Sequence, residues 1–308
     1  MVARDESVPA SSLSREFVGQ AVEKAVQECL RELRRNLPQH RSALELFNSD
    51  EAEAAKIEMA AVGHKLWLRQ YVDGNGGNIS YRLAPGYILS TPTLHSKGDL
   101  KPEDISLVDM DNHQLYGDRP RTSEIKLHIE IYKAVPQARA ILHCHPPYAT
   151  AHAVAGFAPQ GNLVPEQEIF VGPVALAPYA TPGSDAVSCS VLPYVANHNA
   201  ILLANHGLVC WADTLTHAEW YAEVVENYCK TTFIAHQLNP SLKEISPAGI
   251  QDLLEIKQKM GLPDPRLNGY GGETQNSPAE PFAAVSASTP EELIAELRER
   301  LFSYFSGR

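Results

Sequence analysis

The chain has 308 residues, 44% hydrophobic side chains, a formal net charge of −11 and an isoelectric point near 5.5. This length and apolar content suffice for one large domain or two modest ones with a real core. The acidic excess argues against general binding to nucleic acid or to an anionic membrane, since both need a basic face. No apolar run approaches the ~20 residues that cross a bilayer. The opening residues lack a secretory apolar core, and five scattered cysteines without a C-x-x-C pattern indicate reduced thiols, so we expect a cytoplasmic protein.

Residues 1–12 are polar, and we expect them to be disordered. Helical periodicity marks the segment that follows, up to residue 72. Apolar residues recur at helical spacing over 14–37, and Pro38 ends that pattern. A second helix is expected from Glu51 to about Val72, with Ser49 and Asp50 as its capping residues.

Strands and helices then alternate through residues 73–240, which is typical of an α/β protein. The pattern predicts helices at 124–134, with Ser123 as the N-cap, at 148–155 and at 215–238. Further helices are expected at 247–260 and 290–305. Strands are predicted at 79–83, 87–91, 105–109, 170–176 and 200–208.

Histidines follow two strand-like segments. His143 and His145 leave the same face of one strand, ~7 Å apart along the backbone, while Cys144 points to the core. A third histidine, His206, ends the segment 201–207, and Glu124 begins a helix. One carboxylate and three imidazoles form a complete ligand set for zinc or a similar divalent ion.

Two loops carry weaker signals. The segment 73–80, DGNGGNIS, fits a ligand-binding turn, but a plain glycine/asparagine hairpin turn is the favoured interpretation. The segment 92–100, PTLHSKGDL, gathers donors around Lys97. An anion site and a surface loop with a solvated lysine both stay open there.

Several motifs together resemble one family. GNGGNIS, STPT, TSE, HCH, APYATPGS and ANHGLV occur in the order and spacing of the class II sugar-phosphate aldolase/adducin-head family, over roughly residues 50–240. That family includes fuculose-phosphate and rhamnulose-phosphate aldolases, a ribulose-phosphate 4-epimerase, a methylthioribulose-phosphate dehydratase and the non-catalytic adducin heads. The motifs here are similar to those of L-fuculose-phosphate aldolase.

The resemblance implies an architecture. We expect a single α/β domain with a central mixed or antiparallel β-sheet flanked by helices, and extra N- and C-terminal helices. The domains would be an N-terminal helical extension at 1–49, the catalytic domain at 50–240 and a C-terminal helical extension at 241–308. Similar proteins form C4-type tetramers, so the resemblance implies a homotetramer.

The resemblance also implies chemistry. His143, His145 and His206 would bind Zn²⁺ or another divalent transition metal, with Glu124 beside or on the metal as catalytic base. The expected enzyme is a metal-dependent aldehyde-lyase that cleaves a ketose phosphate to dihydroxyacetone phosphate and an aldehyde. Glutamate at 124 favours aldol cleavage, because the similar epimerases carry aspartate there and the dehydratases tend to lack an acid. The alternatives are an epimerase, dehydratase or decarboxylase working through the same metal enolate, or a non-catalytic scaffold module.

Family phosphate-binding positions fall on Asn78, Thr93, Thr122 and Ser123. Where the aldolases commonly have glycine, this chain has Leu94, which removes a close backbone approach, while Lys97 supplies a charge. The bound anion is therefore either a phosphate or a carboxylate.

Two further residues have open roles. Glu168 falls where the family has a second catalytic group, and it is either an acid/base residue or an exposed carboxylate at a strand end. His128, one helical turn after Glu124, is expected behind the metal site rather than as a fourth imidazole ligand.

Overall fold

An eight-stranded mixed sheet organises residues 42–262, Asp264 and Arg266, which are the part of the chain that the computed structural model describes. The predicted disordered start at 1–12 and the predicted helices at 14–37 and 290–305 lie outside these residues. From residue 42 onward, two helices precede the sheet. The first, α1 (Ala43–Phe47), starts with a capping box between Ser42 and Glu45.

Helix α2 (Asp50–Leu68) begins where the sequence predicts. The Ser49 hydroxyl accepts a hydrogen bond from the backbone N–H of Ala52, which satisfies one of the free donors of the first turn. The helix ends four residues before the predicted limit at 72, and a glycine-rich connection leads from it to the first strand.

The sheet has the strand order β4-β3-β2-β1-β5-β8-β7-β6. Neighbouring strands pair antiparallel throughout, except for the parallel pair of β6 and β7. The prediction of a mixed, largely antiparallel sheet is therefore confirmed. The strands are β1 (Asn78–Ala84), β2 (Tyr87–Ser90), β3 (Ser106–Asp109), β4 (Gln114–Tyr116), β5 (Ala140–Cys144), β6 (Ala175–Ala177), β7 (Ala200–Leu203) and β8 (Gly207–Ala212).

Helices lie between and after the strands: α3 (Ile125–Ala134), α4 (Pro147–Ala155), α5 (Asp185–Val195), α6 (Leu215–Leu238) and α7 (Pro247–Lys259). Helix α6 has the predicted limits, and the Thr214 side chain caps it by accepting from the N–H of His217. The sequence predicts Ser123 as the N-cap of α3, and this prediction is wrong. Glu124 occupies the N-cap position, and its side chain makes no capping hydrogen bond. The sequence did not predict α5, in which Pro193 interrupts the periodicity.

Two of the predicted strands differ from the structure. Residues 167–171 form a π-helical turn (Gln167–Val171), and β6 starts only after Gly172, whose φ of 86° turns the chain. The predicted strand at 200–208 is instead the hairpin of β7 and β8. Its turn contains Asn205 in the left-handed conformation, with φ of 57°, and His206.

The sheet separates two apolar cores, because alternate residues of each strand face opposite sides. Leu142 of β5 belongs to the core that includes Met59 of α2 and Val225 of α6. Its neighbour Ile141 belongs to the core that includes Ile131 of α3, together with residues of α5. Side chains of β5 with the parity of Ile141, which include His143, therefore face α3.

Candidate metal centre

Three imidazoles converge beyond the end of β5. The Nε2 atom of His143 lies 3.1 Å from Nε2 of His145 and 3.2 Å from Nε2 of His206. His143 is fully buried, whereas His145 and His206 are half-buried at the edge of the cluster. The predicted histidines thus come together, with one nitrogen of each ring directed at the same point.

Strand pairing and one glycine bring these rings together. β5 pairs with β8, where His143 lies opposite Val209, and the β7–β8 turn then carries His206 back beside it. A Cβ atom on Gly207 would lie 2.6 Å from both the Cys144 carbonyl oxygen and the Cδ2 atom of His145. Glycine at this position therefore permits the close approach of the turn to His145.

The protonation of these rings favours a bound cation. His143 donates from Nδ1 to the Leu208 carbonyl oxygen at 2.9 Å, so its Nε2 lone pair faces the other two rings. Burial, and then the neighbouring His145 and His206, hold the pKa of His143 well below its usual value. Tetrahedral zinc with imidazole nitrogens at 2.0–2.1 Å separates those nitrogens by about 3.3 Å. The donor set and its spacing fit a divalent cation.

Glu124 lies beside two of the rings. Its Oε2 atom is 3.5 Å from Nε2 of His143, and its Oε1 atom is 3.8 Å from Nε2 of His206. Oε2 accepts a hydrogen bond of 2.7 Å from the Nδ2 atom of Asn78. Oε1 is buried and has no hydrogen-bond partner among the described residues. One carboxylate oxygen is thus held, and the other is free to act on a cation or a proton.

A chain of buried side chains lies behind Glu124. The Oδ1 atom of Asn78 is 2.6 Å from Nε2 of His128, and Nδ1 of that ring is 2.7 Å from the Ser80 hydroxyl. The Ser80 hydroxyl in turn lies 2.9 Å from that of Tyr132. Both nitrogens of His128 have protein partners, so neither is free for a cation.

Sequence reasoning missed Tyr132, although a signal for it exists. Glu124, His128 and Tyr132 recur at intervals of four residues, which places them on one face of α3. A polar stripe of this kind on an otherwise apolar helix predicts a buried hydrogen-bond network rather than core packing.

The glycine-rich segment packs against the histidines. It connects α2 to β1 and is not the hairpin turn that the sequence favours. Gly77 has φ of 69°, and a Cβ there would lie 2.8 Å from the His143 carbonyl oxygen. A Cβ on Gly76 would lie 3.1 Å from Cε1 of His145. The missing side chains therefore allow this loop to support the metal centre directly.

The loops predicted to bind an anion lie side by side. The N–H of Thr93 donates to the Pro120 carbonyl, and the N–H of Thr122 donates to the Thr91 carbonyl. The Thr122 hydroxyl accepts a bond from the N–H of Glu124, while Ser123 is exposed.

Leu94 lies on the same loop and adopts φ of 50°, the left-handed conformation that glycine takes without strain, with its side chain in solvent. The backbone at this position thus keeps a glycine-like conformation despite the leucine.

Lys97 is buried rather than solvated, so the alternative of a surface lysine is wrong. Its Nζ atom donates to the His95 carbonyl at 2.8 Å and is 3.5 Å from the Asn75 carbonyl in the glycine-rich segment. Burial lowers the pKa of Lys97 to about 8. A role in anion binding stays a prediction.

Glu168 is buried in the π-helical turn, so the alternative of an exposed carboxylate at a strand end is also wrong. Its Oε1 atom accepts from the N–H of Asn162 at 2.8 Å, and its Oε2 atom accepts from Arg266 at 2.6 Å. Arg266 also binds Asp264, which binds Lys257. Its predicted acid/base role stays a prediction.

Comparison with known proteins identifies a family. The family model described as "Class II Aldolase and Adducin N-terminal domain" matches residues 57–233, more than half of the chain. The chain is 31% identical over 186 residues to a 3-oxo-tetronate 4-phosphate decarboxylase of Escherichia coli K12, covering 59% of this chain and 87% of that protein. It is 34% identical over 177 residues to an L-fuculose phosphate aldolase of Methanococcus vannielii, covering 58% and 94%.

Solved structures agree with these matches. The crystal structure of YgbL from Escherichia coli, described as a putative aldolase/epimerase/decarboxylase, has a TM-score of 0.62 at 29% identity and covers 67% of this chain and 99% of that one. An L-fuculose 1-phosphate aldolase has a TM-score of 0.62 at 25% identity, covering 67% and 96%. The matched segment lies inside the predicted catalytic domain at 50–240, whose limits stay a prediction. Within the described residues, no helix has both the length and the apolar character needed to cross a membrane.

Proposed function

Since the chain belongs to the class II aldolase and adducin family, we propose that it is a metal-dependent lyase that breaks a carbon–carbon bond near the carbonyl group of a phosphorylated sugar or sugar acid. One observation carries this proposal. The Oε1 atom of Glu124 is buried, has no hydrogen-bond partner in the described part of the chain, and lies 3.8 Å from Nε2 of His206, one of three imidazoles whose spacing fits a cation.

His143, His145 and His206 would hold the cation, and Zn²⁺ is our first choice because three imidazoles and a carboxylate suit its tetrahedral preference. When bound, it supplies a Lewis acid for negative charge that develops on the substrate carbonyl. The Leu208 carbonyl keeps the His143 ring in the tautomer that presents Nε2. The fit of these residues to a cation also argues against the non-catalytic scaffold alternative.

Aldol cleavage is the reaction that the geometry supports best. It requires removal of a proton from the hydroxyl group of the departing aldehyde, and Glu124 offers a free oxygen for that proton. The hydrogen bond from Asn78 fixes the other oxygen, so the base is oriented before the substrate arrives. A ketose 1-phosphate would then give dihydroxyacetone phosphate and an aldehyde.

Decarboxylation is the second candidate, because four of the curated relatives are 3-oxo-tetronate 4-phosphate decarboxylases at 31–34% identity. Loss of CO₂ from a 3-oxo-tetronate 4-phosphate leaves the same three-carbon fragment that aldol cleavage of a ketose 1-phosphate leaves. The two reactions therefore share one product, dihydroxyacetone phosphate, and differ in the leaving group. A site built to stabilise that fragment serves either reaction.

We propose that the phosphate lies along the two loops that carry Thr93, Thr122 and Ser123, with Asn78 and Lys97 nearby. Hydrogen bonds between the loops support this placement, since they bring the donors of both segments together. The left-handed backbone at Leu94 supports it as well, because turns that contain such a residue can gather successive N–H groups around an anion.

The test is an assay for both leaving groups. Zinc-loaded protein is incubated separately with L-fuculose 1-phosphate and with 3-oxo-tetronate 4-phosphate, and dihydroxyacetone phosphate is measured by a coupled dehydrogenase. Aldehyde release identifies the aldolase, and CO₂ release identifies the decarboxylase. Absence of dihydroxyacetone phosphate from both substrates, with metal bound, would contradict the proposal and favour epimerisation or dehydration, which keep the carbon skeleton.

Two broader expectations belong with this proposal. A homotetramer, expected from the family resemblance, would be tested by sedimentation of the full chain. A cytoplasmic location stays a prediction from the scattered cysteines.

A further inference from the structure

The hydrogen-bond chain behind Glu124 has a direction. An ionised carboxylate can only accept hydrogen bonds, so the amide nitrogen of Asn78 must face its Oε2 atom, as it does at 2.7 Å. The amide oxygen of Asn78 then faces Nε2 of His128 at 2.6 Å, and this oxygen is only an acceptor. The proton of the imidazole must therefore lie on Nε2.

The hydrogen bonds on the other side of the His128 ring agree with a proton on Nε2. Complete burial lowers the pKa of His128 to about 3, so the ring is neutral and carries one N–H. Its Nδ1 atom is then an acceptor, and the Ser80 hydroxyl donates to it at 2.7 Å. Ser80 has then used its only proton, so its oxygen accepts from the Tyr132 hydroxyl at 2.9 Å, while the Arg139 carbonyl oxygen lies 3.3 Å from the same hydroxyl. From Ser80 to Glu124 every donor points towards the carboxylate, and such hydrogen-bond networks strengthen each bond by polarisation.

We propose that His128, as its neutral Nε2–H tautomer, is the positioning residue for Glu124. It fixes which end of the Asn78 amide faces the carboxylate, and the amide then holds Oε2 and leaves Oε1 on the side of His206. This inference rests on the proposed function, because it assigns to the base of that reaction the group that orients it.

The alternative arrangements show why the tautomer matters. With the proton on Nδ1, His128 would present a lone pair to the Asn78 oxygen and a proton to Ser80. The amide would then rotate to offer its nitrogen to the ring, which would place its oxygen against Oε2 of Glu124. Two acceptors would face each other in a buried site, and the carboxylate would turn away.

The first test compares His128→Leu with His128→Gln. Leucine removes the donor to Asn78, whereas the glutamine amide nitrogen can reach the place of Nε2. For His128→Leu we expect kcat to fall by roughly 10–100-fold, the range typical for residues that orient a metal site, with KM changed by less than about threefold. His128→Gln should recover about tenfold of that loss.

The matched control is His152→Leu. His152 is also buried, and its Nδ1 atom donates a single hydrogen bond to the Tyr148 carbonyl oxygen, away from the network behind Glu124. It should lose stability on a scale similar to that of His128→Leu while retaining kcat. Equal kcat in His128→Leu and in the control would overturn the proposal.

A second measurement does not depend on activity. Imidazole ¹⁵N spectra of the metal-free protein should show His128 neutral with its proton on Nε2 between pH 5 and 8, and a charged ring or an Nδ1 proton would overturn the proposal. A crystal structure of His128→Leu should show the bond between Asn78 and Glu124 lost. If the wild-type protein releases no dihydroxyacetone phosphate, the proposed function fails, while these two measurements still decide the role of His128.

Discussion

Two buried polar clusters in the described part of the chain differ in how their atoms are satisfied. In one, which we call the ion cluster, Lys257, Asp264, Arg266 and Glu168 are joined by bonds of 2.6–2.9 Å between opposite charges. In the metal centre, three imidazole nitrogens face each other, and the free oxygen of Glu124 has no partner. Both clusters are shielded from water, the metal centre less so because His145 and His206 are half-buried, yet among the described residues only the ion cluster has a partner for every charge.

This difference separates a structural cluster from a binding site. Buried charges are tolerated when each is paired and hydrogen-bonded, as in the ion cluster. The Nε2 lone pair of His143 faces two imidazoles but can accept a hydrogen bond from only one, and Oε1 of Glu124 has no partner among the described residues. The metal centre therefore presents donor atoms that a cation would satisfy, whereas the ion cluster ties Lys257, Asp264 and Arg266 to the π-helical turn.

The largest expected effect comes from breaking the metal centre. His145→Ala removes one of the three ligands, so zinc content per chain should fall and turnover should decrease at least about 10³-fold, since the Lewis acid is lost. The circular dichroism spectrum should remain that of the wild type, because His145 is only half-buried. His113→Ala, at an exposed turn, is the control. Unchanged zinc content with normal turnover would contradict the site.

Next in size is the loss of the base. Glu124→Gln keeps an acceptor for Asn78 but cannot take a proton, so kcat should fall by about 10²–10³-fold. Zinc should stay bound, because the three imidazoles remain. Measurement of kcat together with metal content separates the role of Glu124 as a base from a role as a metal ligand. If zinc is lost along with activity, Glu124 is mainly a ligand rather than the base.

For Glu168 in the ion cluster we expect the opposite of Glu124, namely a loss of stability with little change in activity. Glu168→Gln removes the charge opposite Arg266 and should lower the free energy of unfolding by about 3 kcal/mol, as for other broken buried pairs. Because both oxygens of Glu168 are already bound, kcat should change by less than about threefold. Urea unfolding and steady-state kinetics test both parts. A hundredfold fall in kcat at unchanged stability would instead support the predicted acid/base role.

Much of the metal centre could be predicted from the sequence because its determinants are local. His143 and His145 share a strand end, and Glu124 begins a helix just after the T-S residues of its motif. The starts of the helices capped by Ser49 and Thr214 could also be predicted from the sequence, since a capping side chain binds a backbone group within three residues. The residues of β5 alternate between the two cores as strand geometry requires.

The remaining features depend on contacts between distant segments. Residues 167–171 carry Ile, Phe and Val, which favour a strand, but the bonds from Arg266 and Asn162 to Glu168 hold them in a π-helical turn. The burial of Lys97 likewise follows from its packing against α2, where a Cβ on Gly63 would lie 3.6 Å from the Cβ of Lys97. No local pattern encodes such contacts.

Lys97 sharpens the comparison because it combines features of both clusters and gives the smallest expected effect. It is a buried charge, like those of the ion cluster, but its ammonium group binds carbonyl oxygens and has no carboxylate partner among the described residues. Its pKa is lowered by burial from a usual value of 10.5 to about 8. Between these values the unfolded chain holds more protons than the folded one. The free energy of unfolding should therefore rise with pH, by about 2 kcal/mol from pH 8 to pH 10.

Lys97→Met should remove this rise, because the methionine side chain fills the same space without a proton to release. Lys133→Met, at an exposed position beside Glu130, is the matched control and should keep the wild-type pH dependence. Urea unfolding of the three proteins at pH 8 and pH 10 gives the comparison. If Lys97→Met kept the same increase as the control, the ammonium group would titrate as a solvated lysine, and the contrast between satisfied and unsatisfied buried charges would not extend to this loop.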